Sequence, residues 1–534
     1  MKNKGLILLF AIGSLFASCS DAYDITQKGE VNDVYDAFRN ANDVNRGINA
    51  IYSSIPGETE VNFVSVFTDE VSLGLENGGQ GIISGEYGFN MEANNSYAAS
   101  LWNSYYGIIN RANRLEVVAK KLTESAKDNA EKVALQSALA EVYALRAFAH
   151  FKLFSYFTPN YTSNSGLSAI ILDHVPPVDY QYSLPRNTVA EVKAFILKDL
   201  ENAQSLRSLG WNGVNYANDG MIEAIRTKLY AMTEDWDKVL EHGPKAIVQT
   251  PIAKFDEYQT LFARVNPADF KEPLVETIFK LKRTLNSGGS VAGAWYSVNV
   301  SGTGSFFYEM GRSLYNEFDK LDSKKVGTAF GARDDVRYLI NLDPDSKVST
   351  TYASDSQSDF TVNDLLLIGK YQGTVGANLK NDIQIFRTSD ILLAMAEARA
   401  AKGQFSSGST DPDDLLNKTT DVASIIYTIK WNRWSNKADL SGINMPNITT
   451  QQQAFDAILN ERRVEFAVEG HRYLDMKRIG AKAGSQGFTR YSKDCAINGA
   501  CNLPVSSYKM TLPIPVGELN GNILITSDKQ NPGY

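Results

Sequence analysis

The sequence is poor in the residues that most metal sites and disulfide frameworks require. Its 534 residues include three cysteines and four histidines. No histidine stands at metal-ligand spacing to another histidine, and no Cys-His pattern predicts a zinc site. HExxH, GxSxG, a Walker loop and a dinucleotide-binding fingerprint are also absent. These absences remove the common metalloprotease, serine hydrolase, nucleotide-hydrolysing and NAD-dependent classes, so neither a metal nor a cofactor is predicted.

These absences do not exclude the glycosidases, because a glycosidase needs only two carboxylates at a set separation. The chain has 61 acidic residues, and the sequence alone does not say whether two of them meet. An exported hydrolase therefore stays open as a distant alternative. The runs DPDS at Asp343 and DPDD at Asp411 resemble calcium loops but lack the ligand rhythm of a complete site.

Positive charge is scarce as well. The 53 basic residues against 61 acidic ones give a net charge of −8, and no basic cluster or arm is visible. This balance argues against a protein that binds the phosphate backbone of nucleic acids. Aromatic residues are plentiful, with 26 Tyr, 25 Phe and 6 Trp. Most such rings belong to the core, but rings at a surface suit stacking on sugars or other flat ligands.

No stretch after the N-terminus has the length of a membrane-spanning helix. Residues 1–18 are predicted to be a secretory leader, in which Lys2 and Lys4 precede the apolar run GLILLFAIGSLFAS. Without these two lysines the net charge of −8 becomes −10. Residues 15–19 (LFASC) resemble a bacterial lipobox, with Phe16 where an aliphatic residue is more usual. We expect cleavage before Cys19 and acylation of its thiol, which would tether the protein to a membrane. An ordinary secretory leader is the alternative.

Two cysteines then remain, Cys495 and Cys501, with five residues between them. In an oxidising exported setting they are candidates for a small disulfide-closed loop. Two free thiols are the alternative.

Hydrophobic periodicity predicts a mostly α-helical chain. Helices at 101–122 and 131–157 form an antiparallel pair, and a further pair covers 219–232 and 235–248. Helix pairs joined by short turns favour degenerate tetratricopeptide-like repeats. Other predicted helices, an irregular stretch and an extended tail complete the chain: helices 33–55, 188–206, 389–401, 421–434 and 451–469, the irregular stretch 71–100 and the tail 481–534.

The stretch 460–480 (NERRVEFAVEGHRYLDMKRIG) places charges on an apolar helix face. Charges there are costly unless paired, so the stretch predicts either a structural ion network or a chemical site. His471 and Asp475 stand at i, i+4, which would suit an oriented base, but no Ser or Cys nucleophile is identifiable beside them. We favour the structural interpretation, in which Glu465 pairs with Arg462 and Gly470 ends the helix. The predicted network comprises Arg462, Glu465, Glu469, His471, Arg472 and Asp475.

Four segments follow one another along the chain: ALRAFAHFKLF (144–154), NDIQIFRTSDILLAMAEARAAKG (381–403), the stretch 460–480 and TLPIPVGELNGN (511–522). In this order they resemble the SusD/RagB family of outer-membrane lipoproteins. The resemblance implies a leader at 1–18 and a single domain at 19–534. That domain would have a helical scaffold at about 33–250 and 383–480 and an inserted loop-rich region at about 251–382.

The resemblance also implies a function. It implies a non-catalytic, lipid-anchored protein of the outer membrane, at the cell surface, that captures oligosaccharides for a TonB-dependent β-barrel transporter. Peptides or other nutrients are the alternative cargo. In such proteins ligand contacts commonly come from the loop before the first repeat helix and from the inserted region. The residues predicted to bind ligand by this placement are Tyr87, Asn90, Asn94, Tyr97, Trp295, Tyr296, Phe307 and Tyr308.

Overall fold

The structure is a computed structural model. It describes residues 37–75, 77, 85–177, 182–206, 213–262, 274–283, 290–291, 306–322, 333–371, 373–374, 377–378, 380–406, 416, 418–443 and 445–534. The leader 1–18, Cys19, the acidic run at Asp411, and the predicted ligand residues Trp295 and Tyr296 lie outside these residues.

The N-terminal half of the described chain is built from packed helices. The two longest, α3 and α4, pack along their lengths, α4 also packs on α5, and α6 packs on α7. The predicted mostly α-helical fold with helix pairs is thus confirmed. The helices are α1 (Ala41–Ser53), α2 (Gly57–Phe67), α3 (Ser96–Glu124), α4 (Asn129–Phe157), α5 (Val189–Leu206), α6 (Asp219–Met232) and α7 (Trp236–Ala246).

Side-chain caps set where several of these helices begin. Asn40 accepts from the backbone N–H groups of residues 42 and 43, so α1 begins at Ala41, later than the predicted residue 33. Asn95 and Asp128 cap α3 and α4 in the same way. Helix α2 was not predicted, because it is buried on nearly every side and therefore has no amphipathic period.

The predicted loop-rich region 251–382 contains short helices among its irregular segments. Helices of six to eight residues leave little periodic signal in a sequence. Longer helices return after residue 387. The helices are α8 (Phe255–Phe262), α9 (Arg312–Asp319), α10 (Val336–Asn341), α11 (Gln357–Asn363), α12 (Thr388–Ala401), α13 (Val422–Arg433), α14 (Gln451–Glu465), α15 (Arg472–Ile479) and α16 (Val516–Gly521).

The strands in the described residues form antiparallel two-stranded ribbons that tie distant segments together. β1 (Val71–Leu73) pairs with β3 (Tyr308–Met310), and β2 (Thr277–Leu281) pairs with β6 (Ile383–Arg387). Two further ribbons join β4 (Gly373–Thr374) to β5 (Ala377–Asn378), and β7 (Gly487–Thr489) to β8 (Asn502–Pro504). The β1–β3 ribbon brings the segment before α3 onto the inserted region.

Helix α14 begins at a capping box between Thr450 and Gln453 and ends at Glu465, four residues before the predicted end. The chain then turns through Val468 and Gly470, whose φ angles are 53° and 83°. A Cβ on Gly470 would also lie 3.4 Å from the Val61 Cα. This turn sends α15 back along α14 and brings the charged side chains of both helices into the interior.

Candidate functional site

A buried network of ion pairs joins β6, α13 and α14 inside the scaffold. Arg387 is its hub: its Nη1 donates to Glu276 at 2.9 Å and to Glu465 at 2.8 Å, and its Nε donates to Glu469 at 2.9 Å. Arg433 donates to Glu465 at 2.8 Å and to Glu276 at 3.2 Å. At most 1% of any of these five side chains is exposed. Such deep burial of charge is stable only because every charge is paired.

The predicted pairing of Arg462 with Glu465 is wrong. Arg462 instead donates to Asp390 at 2.6 Å, and its Nε lies 2.8 Å from Asp475. The two residues are three apart on α14, and the helix directs Glu465 towards Arg387 on β6. The sequence pattern identified the charges on this helix but not their partners, which come from elements far away in the chain.

His471 lies at the start of α15 and is not arranged as a base. Its ring stacks on Phe466 with centroids 4.5 Å apart, and its Nδ1 lies 4.0 Å from the Asp390 carboxylate. Burial lowers the pKa of His471 to about 3, so the ring is neutral at neutral pH. Next to it, Arg472 donates to Asp69 at 2.8 Å. The contacts in this part of the scaffold are those of a structural brace.

Tyr87, one of the predicted ligand residues, belongs to the core instead. Its ring is fully buried, and its hydroxyl donates to the backbone carbonyl of Asp494 at 2.8 Å. The Arg490 guanidinium lies 4.0 Å from the centre of the ring. A short 3-10 turn, Glu86–Gly88, directs the ring inwards. Tyr87 therefore anchors its segment to the chain near residue 494 and does not present its ring to a ligand.

Of the other described ligand predictions, Asn90 and Asn94 precede α3, Tyr97 lies in its first turn, and Phe307 and Tyr308 lie at the start of β3. Asn94 is exposed, and Asn90 and Tyr97 are partly buried. Phe307 and Tyr308 are also partly buried, with ring centroids 5.1 Å apart. Burial, together with nearby Tyr97, raises the pKa of Tyr308 to about 12, which shows that the two tyrosines are close. Ligand contact by these five residues stays a prediction.

A surface pocket of about 180 Å³ opens beside this ribbon. Strands β1 and β3 form one wall, α11 forms another, and the segment around residue 494 forms the third. None of the described residues predicted to bind ligand lines it. The lining residues are Ser72, Leu73, Gly74, Leu75, Asn77, Glu309, Gln357, Phe360, Thr361, Lys493, Asp494 and Ile497.

Two carboxyl groups, those of Glu309 and Asp494, line this pocket while most of each residue is buried, with exposures of 8% and 6%. Glu309 accepts from the backbone N–H of Leu366 at 3.2 Å, and Asp494 accepts from that of Arg312 at 2.8 Å. Burial raises the pKa of Asp494 to about 7. Burial and the Asp494 charge raise the pKa of Glu309 well above its usual range. The pocket thus holds two carboxyl groups whose surroundings favour the protonated form.

Asn77 adds an unused hydrogen-bond acceptor to the same pocket. The residue is 3% exposed, and its Nδ2 donates to the Phe307 carbonyl at 3.2 Å. Its Oδ1 is buried and has no hydrogen-bond partner among the residues that the structure describes. The turn before it requires Gly74, because a Cβ there would lie 2.0 Å from the Phe306 carbonyl oxygen. The close approach of β1 to the Phe306–Phe307 segment thereby fixes the position of the amide.

A disulfide between Cys495 and Cys501 closes a small loop at the third wall. This loop carries Ile497, which lines the pocket and is largely exposed. Lys493, just before the loop, donates to the backbone carbonyl of Tyr352 at 2.5 Å. The disulfide and the Lys493 hydrogen bond therefore hold this wall of the pocket at two points.

The pocket residues were missed because they come from short segments that are far apart in the sequence. Two weak signals were present. Glu309 is a lone acidic residue directly after the aromatic run FFY, and Asp494 directly precedes a cysteine. A charge within an apolar strand or beside a disulfide is a reasonable sign of a buried polar site.

The described residues contain neither a metal-binding cluster nor a membrane-spanning helix. There, no group of three or more His, Cys, Asp and Glu side chains is arranged to hold a metal ion. The helices of the described ranges also include none with the length and apolar character that a membrane crossing needs.

Comparisons with known proteins agree with this architecture. The chain is 23% identical over 517 residues to a SusD-like protein of Formosa agariphila, with 93% of each chain covered. A crystal structure of a SusD superfamily protein from Bacteroides thetaiotaomicron superposes with a TM-score of 0.68 at 20% identity, covering 92% of this chain and all of that one. A laminarin-binding SusD-like protein superposes with a TM-score of 0.61 at 18% identity, covering 93% and 100% of the two chains.

Family models match both ends of the chain. Residues 365–534 match the SusD family, and residues 24–218 match a family described as starch-binding and associating with the outer membrane. The first match includes the helices of the ion network, and the second includes the α3–α4 pair. From these matches and the shared fold we conclude that the chain belongs to the SusD/RagB family.

Proposed function

We propose that this protein captures oligosaccharides in the pocket between the β1–β3 ribbon, α11 and the disulfide loop. The observation that carries the proposal is the composition of that pocket, which apolar and hydrogen-bonding side chains line together. Leu75, Phe360 and Ile497 supply apolar contacts. Gln357 and Thr361 supply amide and hydroxyl groups.

This composition suits a sugar, because each sugar ring has apolar C–H faces and a rim of hydroxyl groups. Exposed apolar side chains gain free energy when a C–H face covers them. Hydroxyl groups donate and accept at once, so they suit the Gln357 amide, the Thr361 hydroxyl and the protonated carboxyl groups. The laminarin-binding relative and the starch-binding family description support the same ligand class.

We further propose that the protein acts at the outer membrane without catalysing a reaction. Acylation of Cys19 would anchor it at the cell surface, where it would deliver its ligand to a TonB-dependent transporter. The family description that mentions the outer membrane supports this location. In this role the protein is a binder that hands its cargo to a channel, and no bond in the ligand is broken.

A binding panel tests the ligand class. The chain without its leader is titrated calorimetrically with starch, laminarin, polygalacturonate and a tryptic peptide digest. We expect binding to at least one glycan and none to the digest. Binding to peptides alone would contradict the glycan proposal, and release of shortened products from any polysaccharide would favour a hydrolase.

A pull-down tests the partner. Detergent-solubilised outer membranes of the producing cell are passed over the tagged, lipidated protein. We expect a large TonB-dependent β-barrel to be retained at near-equal stoichiometry. Recovery of the protein alone, from cells that express such a barrel, would contradict the partnership.

A further inference from the structure

The two carboxyl groups of the pocket lie in surroundings that disfavour their negative charge. Glu309 stands directly across the ribbon from Ser72, whose neighbours form the pocket wall. The Asp494 charge disfavours ionisation of Glu309, and the Asp364 carboxylate disfavours ionisation of both groups. Each of the pair accepts one backbone N–H group, which offsets only part of the cost of burial.

The basic side chains around the pair are already committed to other acceptors. Arg312 donates to Asp364 at 2.7 Å. Arg490 donates to backbone carbonyls, among them that of Thr68 at 2.8 Å, and its ring neighbours are Tyr87 and Phe89. Lys493 donates to the carbonyl groups of residues 352 and 355. These cations are therefore engaged by Asp364 and by backbone carbonyl groups, and none of these hydrogen bonds goes to Glu309 or Asp494.

The remaining groups near the pair are neutral at physiological pH. Ser72 hydrogen-bonds the Asp494 carboxyl group. Tyr87 presents its hydroxyl to the Asp494 backbone, and burial keeps the pKa of Tyr87 well above the neutral range. Tyr308 belongs to the opposite face of β3, and burial raises its pKa to about 12. Among the described residues that line the pocket, the carboxyl groups are therefore those of Glu309 and Asp494.

We propose that Glu309 and Asp494 form a charge-selective element that makes this pocket a site for uncharged glycans and excludes anionic glycans as the pH rises. The inference rests on the proposed function, because it concerns which glycans the same pocket accepts. When both groups are protonated, their O–H groups donate to ligand oxygens. As the pH rises through about 7, Asp494 ionises and a negative charge stands in the pocket wall.

A rise in pH affects the affinities for uncharged and anionic glycans differently. A neutral sugar hydroxyl bonds to a carboxyl group in either protonation state, since it donates to the ion and accepts from the acid. A uronate carboxylate loses a donor and meets a like charge when Asp494 ionises. At a separation of about 6 Å and an effective dielectric constant of about 20, the repulsion is large enough to lower affinity by at least about tenfold.

The test compares two ligand pairs of matched length. Maltohexaose and laminarihexaose serve as uncharged probes, and the hexamers of galacturonate and guluronate serve as anionic probes. Calorimetric titration at pH 5.5 and pH 8.5 gives the ratio of anionic to uncharged affinity. We expect this ratio to fall at least about tenfold between the two pH values. In the double variant Glu309→Gln/Asp494→Asn we expect no change, and the exposed surface variant Glu201→Gln should behave as wild type.

A ligand-free measurement separates the proposal from a mere folding effect. Carbon NMR of carboxyl-labelled protein follows the ionisation of Asp494, which we expect with a midpoint near 7. A midpoint near 4 overturns the proposal whatever the binding data show. An unchanged affinity ratio with firm glycan binding overturns the proposal but leaves the proposed function standing. Failure of all four hexamers and of the panel glycans to bind overturns both.

Discussion

The ion network predicts a large penalty for removing one charge from Glu465. This carboxylate accepts from Arg433 and Arg387, each at 2.8 Å, and from Arg337 at 3.4 Å, and none of its side chain is exposed. The substitution Glu465→Gln keeps the shape of the side chain and removes its charge. Three buried guanidinium groups then share the remaining carboxylates.

The expected loss in free energy of unfolding follows from the cost of leaving a buried charge without its partner. Breaking a buried ion pair by removing one partner costs about 3–5 kcal/mol in free energy of unfolding. Glu276 still faces Arg387 and Arg433, and it compensates part of the loss. We therefore expect Glu465→Gln to lower the free energy of unfolding by about 3 kcal/mol at pH 7.

Equilibrium urea unfolding, followed by tryptophan fluorescence, measures the difference. The control is Glu201→Gln, the same chemical change at an exposed position on α5. We expect the control to change the free energy of unfolding by less than about 0.5 kcal/mol. A loss below about 1 kcal/mol for Glu465→Gln would show that the network contributes little, and it would refute the idea of an ionic brace.

The pH dependence gives a second check on the same variant. Burial alone would raise the pKa of Glu465, but Arg433, Arg387 and Arg337 hold it well below its usual range. A carboxyl group whose folded-state pKa is depressed stabilises the protein above its unfolded pKa of about 4.3 and loses that contribution as the pH falls further. The gap between wild type and Glu465→Gln should stay constant from pH 8 to about pH 5 and narrow below about pH 4.

Other predictions concern single sites. Burial raises the pKa of Glu70 from 4.5 to about 7, so its proton is bound more tightly in the folded state and stability falls as the pH rises through that window. Glu70→Gln should therefore stabilise the protein by about 3 kcal/mol at pH 8 and by almost nothing at pH 4 in urea unfolding. Reduction of the bond between Cys495 and Cys501 should weaken glycan binding while circular dichroism of the helices stays unchanged. Equal affinity after reduction would mean that the loop is rigid without it. Cys19→Ala should move the protein from the membrane fraction to the soluble fraction, and retention in cells without the transporter would argue against acylation. Trp295→Ala should weaken glycan binding at an unchanged melting temperature. A lower melting temperature with unchanged affinity would place the ring in the core.

The helical scaffold was predictable because its signal is local and repeated. Residues that recur every three to four positions on α3, such as Leu101, Tyr105 and Ile108, are all fully buried in the structure. Such a stripe needs no knowledge of the partner helix. In contrast, α2 is buried on most sides and has no stripe, so periodicity could not reveal it.

The partners of the buried charges were not predictable, because they depend on tertiary packing. Arg387 and Glu465 are 78 positions apart in the chain but 2.8 Å apart in space. The sequence pattern around Arg462 indicated an ion network, yet it suggested a neighbour on the same helix. A short-range pairing rule therefore found the residues and assigned one pair wrongly.

The pocket was the least predictable part. Its walls come from segments near residues 72, 309, 357 and 494, which meet only after the β1–β3 ribbon and the disulfide loop have formed. Placement by region selected residues next to this pocket, since Tyr308 stands opposite Leu73 on that ribbon. It selected aromatic residues, however, whereas the pocket is lined mainly by aliphatic, amide and carboxyl groups.

The most direct test of glycan capture in this pocket compares two exposed isoleucines. Ile497 is 61% exposed and lines the pocket, whereas Ile523 is 74% exposed and lies on the C-terminal tail. Covering most of an isoleucine contributes about 1–2 kcal/mol, or roughly 5- to 30-fold in affinity. Calorimetry with the best glycan of the panel should show that loss for Ile497→Ser and unchanged affinity for Ile523→Ser. Equal affinities for wild type and both variants would contradict the assignment of the pocket as the glycan site.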